Sequence, residues 1–212
     1  MYLTDESFLK TLTKRLAGKL PGSFAHEPLR AKPVGQVIPR FEHKTPPRPG
    51  SVLILLCPQT DSFIFPLIKR PDYSGLHSGQ ISLPGGKAES GETAVETALR
   101  EAQEEIGIDP AQVNVLGRLT DFFVVPSNFM VTPVVGFAKA TPVFKPDQHE
   151  VVKILMGKLS DILDDSAIKS KEIVVANRYT MLAPHFEIDG EIVWGATAMM
   201  LNEFRLVLRD VL

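Results

Sequence analysis

The chain has 212 residues, 44% of them hydrophobic, and a formal net charge of -2. That length supports one sizeable domain with its own core, and the charge balance gives no electrostatic case for a nucleic-acid or anionic-membrane partner. The single cysteine, Cys57, excludes an internal disulfide and fits a reducing compartment.

From the N-terminus, "MYLTDESFLKTLTKRL" has acids before its bases and no apolar core, so it is not read as a signal peptide. Residues 5–17 predict a short amphipathic helix with Leu9, Leu12 and Leu16 on one stripe, ended by Gly18 and "LPG". Residues 22–50, rich in Pro, Arg, Lys and His, read as an ordered arm or linker. "SVLILLC" (51–57) predicts a buried strand with Cys57 as a buried thiol. "PQTD" turns the chain into a second strand, "SFIFPLIKR" (62–70), so the two suggest a hairpin. In "LPGGK" two glycines stand where a strand must leave the sheet, and glycine lets a ligand approach the backbone. A helix is predicted from about Thr93 to Ile106. Strand-like runs follow at 113–119, 121–125, 129–138, 150–159 and 172–179, and Asp189-Gly190 marks a hairpin within 185–195. Trp194 in that hairpin is expected to pack in the core. The longest uncharged stretch, Phe122 to Ala138, is broken by Pro126 and Pro133 well short of a membrane span. A final helix, about Thr197 to Val211, carries Leu201, Phe204 and Leu208 on its apolar stripe. The pattern of strands with one central and one terminal helix indicates an α+β fold, a mixed sheet packed between helices.

The central helix poses the functional question. Thr93 and Glu96 fit a capping box, and Gly107 fits the residue that ends the helix. Val95, Ala98, Leu99, Ala102 and Ile106 should face the core, with Glu101, Glu104 and Glu105 on the opposite side. Three acids in the last turns repel one another and meet the negative end of the helix dipole, each effect costing a few tenths to about 1 kcal/mol. Two readings fit: a solvated acidic face, or a site for a hard divalent cation such as Mg²⁺, which takes one or two carboxylates and leaves places for water and phosphate.

The stretch "GKAESGETAVETALREAQEEIGI", Gly86 to Ile108, resembles the signature box of the Nudix hydrolases. Its polar and glycine positions are filled at the family's spacing, with Ala102 where the family usually has a bulkier aliphatic. The resemblance implies a Nudix fold over 46–212, with 1–45 an N-terminal helix and arm that packs on or extends it. It implies Mg²⁺ or Mn²⁺-dependent water attack on phosphorus in a nucleoside diphosphate linked to another group. Glu101, Glu105 and Glu104 would be metal ligands, joined by the Gly85 carbonyl. Arg100 would pair with Glu92 and hold the loop against the helix. The general base would be a box glutamate or Glu150 on a later loop; neighbouring His149 reads as a surface histidine.

The preceding segment, "KRPDYSGLHSGQISLPGGK", is similar to the extended motif of coenzyme A pyrophosphatases through Arg70, His77, Gly79 and Pro84-Gly85-Gly86. It departs at Pro71, at Gly75, which replaces an arginine, and at Leu83, which replaces a phenylalanine. By this resemblance Arg70, His77, Lys69, Lys87 and Gly86 would contact substrate, taken as coenzyme A or an acyl derivative. ADP-ribose, a nucleotide sugar or a dinucleoside polyphosphate is the alternative with the same chemistry. A non-catalytic nucleotide-binding module is the alternative of another class. The expected setting is cytoplasmic, with a small-molecule partner, no nucleic acid and no membrane, and with an arm long enough to cover a sheet edge or build a homodimer.

Overall fold

The structure, a computed structural model, describes residues 6–35, 38, 40–60, 62–71, 79–175 and 178–212. The predicted first helix is α1, Glu6–Leu16, which buries Phe8, Leu12 and Leu16. The arm that follows is more ordered than its composition suggests. It forms a helical turn α2, Ser23–His26, and a short strand β1, Lys32–Pro33. Next come β2, Arg48–Gln59; β3, Ser62–Lys69; β4, Ile81–Ser82; and β5, Gly85–Lys87. The central helix α3 spans Ala94–Ile106. It is followed by β6, Val113–Arg118; β7, Phe122–Val124; β8, Phe129–Ala138; β9, Lys153–Lys158; and α4, Ser160–Leu163. The chain closes with β10, Lys169–Val175; β11, Tyr179–Ile188; β12, Glu191–Trp194; and α5, Gly195–Arg209.

The large sheet runs β4-β3-β2-β8-β6, with β9 added on β3, β5 on β2 and β7 on β8. It is mixed: β2 and β8 run parallel from Arg48 against Phe129 to Leu56 against Phe137, and the other pairs are antiparallel. The unbroken apolar run in β2 exists because both faces of that strand are covered. Leu53, Leu55 and Cys57 pack with Ala98, Ala102 and Ile106 of α3. Ile54 and Leu56 belong to the other core, with Phe8, Leu12 and Phe204. The Phe8 ring stacks on Phe63, centroids 5.7 Å apart, so α1 is part of that core. Burial pushes the Cys57 thiol up to about 12, and it stays neutral.

A second, antiparallel sheet, β1-β11-β10 with β12 on β11, covers the α5 side. Glu203 of α5 is fully buried. It accepts from the Gly22 N–H at 2.9 Å, from Thr120 Oγ1 at 2.6 Å, and meets His26 Nε2 at 2.9 Å. Burial raises its pKa, but those hydrogen bonds outweigh it and hold the carboxyl below its usual range. This one side chain ties the N-terminal arm to the last helix.

The predicted β2–β3 hairpin forms only at its tip, where Cys57, Pro58 and Gln59 pair with Ile64, Phe63 and Ser62. Toward its other end β2 leaves β3 and takes β5, with Ser51 against Gly86 and Val52 against Gly85. The two glycines therefore lie inside a short strand rather than beyond a sheet edge. Among the described residues no helix is long and apolar enough to cross a membrane.

Candidate functional site

The site grows from the contact of α3 with β5. The capping box forms as predicted: Thr93 Oγ1 accepts from the Glu96 N–H at 3.3 Å, and Glu96 Oε2 from the Thr93 N–H at 2.8 Å. Gly107 ends the helix with φ 70°, its N–H bonded to the Gln103 carbonyl. Two further carbonyls at this end, Glu105 and Ile106, accept N–H groups of Asp147 and Lys145 at 3.0 and 2.9 Å. The loop after β8 thus caps a helix whose last turn carries no basic residue.

Glu105 does not point to the solvent side, as the sequence reading had it. It is 1% exposed. It follows Ala98 by two helical turns and Ala102 by three residues, so the helical period places it on the buried stripe. Its Oε2 accepts the Gly85 N–H at 2.7 Å. Its Oε1 accepts Arg70 Nη2 at 3.2 Å. Burial pushes the Glu105 pKa up to about 7; Arg70 and the Gly85 N–H oppose that rise, while Glu101 and Glu150 add to it. Glu101 is raised too, by burial first, with Arg100 opposing. Its carboxylate lies against Gly86, where an added Cβ would stand 2.4 Å from Oε2. Consecutive glycines thus hold the two carboxylates side by side.

Glu104 lies apart. It is exposed and meets Arg100 Nη1 at 3.1 Å. Among the described residues no three acidic, histidine or cysteine side chains converge as a metal-binding group. What the structure does bring together is the Glu105 carboxylate and the Gly85 carbonyl, with Glu101 beside them. Arg70 Nη2 stands 3.2 Å from both Gly85 O and Glu105 Oε1. A positive group already occupies the reach of both oxygens, so this oxygen donor set fits a hard divalent cation.

Arg100 is the centre of the supporting network. Nε and Nη2 grip the two oxygens of Glu92 at 2.7 and 3.1 Å, and Nη2 also donates to the Lys87 carbonyl at 3.0 Å. Nη1 meets Glu101 Oε1 at 2.9 Å. The guanidinium holds the Glu92 carboxyl down at about 2, helped by the Glu89 N–H. If this fork supports the loop–helix geometry, Arg100→Gln and Glu92→Gln should each lower kcat/KM, and the double variant should lose less than the two losses combined. Multiplying losses would show that the two residues act independently.

Of the remaining sequence candidates, Lys69 donates to Glu191 Oε1 at 2.8 Å and spends its charge there. The Lys87 side chain is exposed. Glu150 and His149 are exposed on the capping loop, and the charge of Glu150 is felt by both Glu101 and Glu105. His77 and Gly75 lie outside the described residues. Leu83 is a fully buried core residue.

The sequence reading missed a cavity of about 500 Å³ that opens beside Gly85, Gly86 and Arg70. Residues of both sheets and α5 line it, among them Phe122, Phe129, Tyr179, Met181, Trp194 and Met200. Trp194, expected in the core, is half-buried in this wall. Single aromatics at strand spacing carried no signal of a cavity, because the wall is assembled from segments far apart in sequence.

Burial of Glu105 has a measurable consequence in metal-free protein. Its folded pKa, about 7, lies above the 4.5 of an exposed glutamate. Between those limits the folded form binds more protons than the unfolded chain, so its contribution to stability falls as pH rises. A difference of that size corresponds to roughly 3 kcal/mol. Urea unfolding in EDTA at pH 5 and pH 8 should show this loss in the wild type and lack it in Glu105→Gln; identical pH slopes in both would contradict it.

A helix carrying paired carboxylates thus packs against a glycine strand beside a large cleft. The NUDIX domain model matches residues 47–179. The chain is 32% identical over 201 residues to an uncharacterized Nudix hydrolase NudL of Pectobacterium atrosepticum, covering 86% of this chain and 98% of that one. It is 31% identical over 182 residues to the NudL of Yersinia enterocolitica, covering 80% and 90%. Among solved structures, a MutT protein from Methanosarcina mazei aligns with TM-score 0.47 at 18% identity, over 80% of this chain and 96% of that one. The chain belongs to the Nudix hydrolase family. Its fold is the Nudix α+β fold, and its activity is hydrolysis of a nucleoside diphosphate linked to another group.

Proposed function

We propose that this hydrolase cleaves coenzyme A or an acyl derivative to 3′,5′-ADP and 4′-phosphopantetheine or its acyl form, with Mg²⁺ or Mn²⁺. The observation that carries this reading is the cavity of about 500 Å³ beside Gly85 and Gly86, walled largely by apolar side chains, aromatics and methionines among them. A long pantetheine arm with an apolar acyl end fits such a wall better than a second charged nucleotide does. The spacing of Arg70, Gly79 and Pro84-Gly85-Gly86 supports the same substrate.

In this reading Glu105, Glu101 and the Gly85 carbonyl would hold the cation, with Glu104 able to join them from the surface. The cation supplies charge neutralisation on the diphosphate and acidifies a bound water. Glu150, whose loop caps α3, is the candidate to take the proton of the attacking water. Arg100 and Glu92 hold β5 against α3. Arg70, at the opening of the cavity, supplies positive charge to the phosphates, with the exposed Lys87 as a second candidate, and Gly86 permits their close approach. Lys69 would join them only by leaving Glu191, and His77 keeps the substrate role that its spacing implies. Residues 46–212 carry the hydrolase domain, and 1–45 act as a packed extension of it.

Mass spectrometry of products from coenzyme A, an acyl-coenzyme A, dephospho-coenzyme A, ADP-ribose and a dinucleoside tetraphosphate tests the proposal. Coenzyme A and its acyl form should be cut fastest, at the diphosphate. Because Gly75 replaces an arginine, dephospho-coenzyme A should be turned over at a similar rate. Much faster cleavage of ADP-ribose or the dinucleotide would reject coenzyme A as substrate while leaving the Nudix chemistry in place.

A further inference from the structure

We propose that Arg70 acts as an internal stand-in for the metal and is handed to the substrate when the metal binds. This rests on the reading of Glu105 and the Gly85 carbonyl as metal-binding oxygens. Both are placed in the interior, where an unpaired carbonyl or carboxylate is costly. One guanidinium nitrogen, Arg70 Nη2, serves both, 3.2 Å from Gly85 O and 3.2 Å from Glu105 Oε1.

Its grip is loose. The third contact, Nε to Ser82 Oγ, is 3.3 Å. Arg100, by contrast, holds Glu92 at 2.7 Å, in the range of charge-assisted bonds. Arg70 is also 27% exposed and lines the cavity, so the guanidinium has open space on its other side. A cation that takes the two oxygens satisfies them and repels the guanidinium. Arg70 then turns its fork toward the cavity, where a diphosphate offers planar pairs of oxygens. Metal binding and phosphate capture are thereby coupled, and each strengthens the other.

Two measurements test this without relying on turnover. The first is Mn²⁺ binding followed by electron paramagnetic resonance, with no substrate, at pH 8. Arg70→Ala removes the competitor, so Mn²⁺ should bind at least about 5-fold more tightly, the low end of ordinary coupling between sites. The second uses wild type and therefore does not depend on the variant folding. In ¹⁵N NMR, saturating Mg²⁺ alone should shift the Arg70 Nε–H resonance while that of Arg15, paired with Asp210 at 2.8 Å, holds its position. Equal or weaker Mn²⁺ binding in Arg70→Ala, or an Arg70 resonance indifferent to Mg²⁺, would overturn the exchange and leave the substrate reading standing. Absence of Mn²⁺ binding in both proteins would overturn the metal-dependent reading itself, and the exchange with it.

Discussion

Glu105→Gln should lower kcat on the order of 10²-fold, in line with loss of one preorganised electrostatic group at a developing phosphate charge. The amide keeps the shape of the carboxylate and an oxygen to accept the Gly85 N–H, so the β5–α3 contact, 2.7 Å in the wild type, survives. What it loses is the negative charge. Since that charge is buried and carries a pKa pushed up to about 7, the variant should also unfold at equal or higher temperature than wild type at pH 8 in EDTA. An enzyme both more stable and nearly inactive is the signature of a charge kept for chemistry. Glu101→Gln/Glu105→Gln together should be inactive. Circular dichroism melts beside a product assay check both readouts. Full turnover in the double variant, or full wild-type turnover in EDTA, would remove the metal from the mechanism.

Substitution of the neighbouring glycines should separate activity from folding. At Gly86 an added Cβ would stand 2.4 Å from Glu101 Oε2 and 2.6 Å from its Cδ. Those atoms end a flexible side chain, so Gly86→Ala should displace the carboxylate and keep the fold. A displacement near 1 Å at such a site costs on the order of 10²-fold in rate. At Gly85 the same methyl would meet backbone, 2.3 Å from Ser51 O and 2.5 Å from Val52 Cα, and φ there is 149°. Crowding and backbone strain together should cost roughly 3 kcal/mol or more. For a chain of this size that lowers Tm by about 6–12 °C. Differential scanning calorimetry of the two variants beside their kcat tests the contrast. A Gly86→Ala protein with full activity would mean that Glu101 need not lie against this strand.

Much of this site was legible because α3 is written in local rules. Its cap, its terminating glycine and the fork between Arg100 and Glu92 follow from spacing along one helix and the loop before it. The orientation of Glu105 was equally local, since it lies on the period of Ala98 and Ala102. The i, i+3, i+4 spacing of Glu101, Glu104 and Glu105 groups it with the outer acids instead, although it stands at the edge between the two faces. The cavity was not legible: Phe122, Tyr179 and Trp194 meet only after two sheets close on each other. The partial hairpin of β2 and β3 shows the same limit. Turn chemistry fixed the tip at Gln59 and Ser62, while the competing partner, Gly85–Gly86, comes from beyond the next loop. In the arm, β1 was hidden because it consists of only Lys32 and Pro33, and its pairing partners, Leu182 and Met181, lie near the other end of the chain.

The buried Glu203 has a consequence for how the chain is made. Its partners Gly22 and His26 precede it by 181 and 177 residues. During synthesis α2 leaves the ribosome well before α5, the helix that receives it. At ordinary elongation rates, about 5–20 residues per second, α2 waits on the order of ten seconds or more for this partner. Closing so long a loop is also slow compared with local pairing. Docking of α2 should therefore be a late event, and ribosome-stalled chains ending before α5 should be cut around α2 by a protease that spares the finished domain.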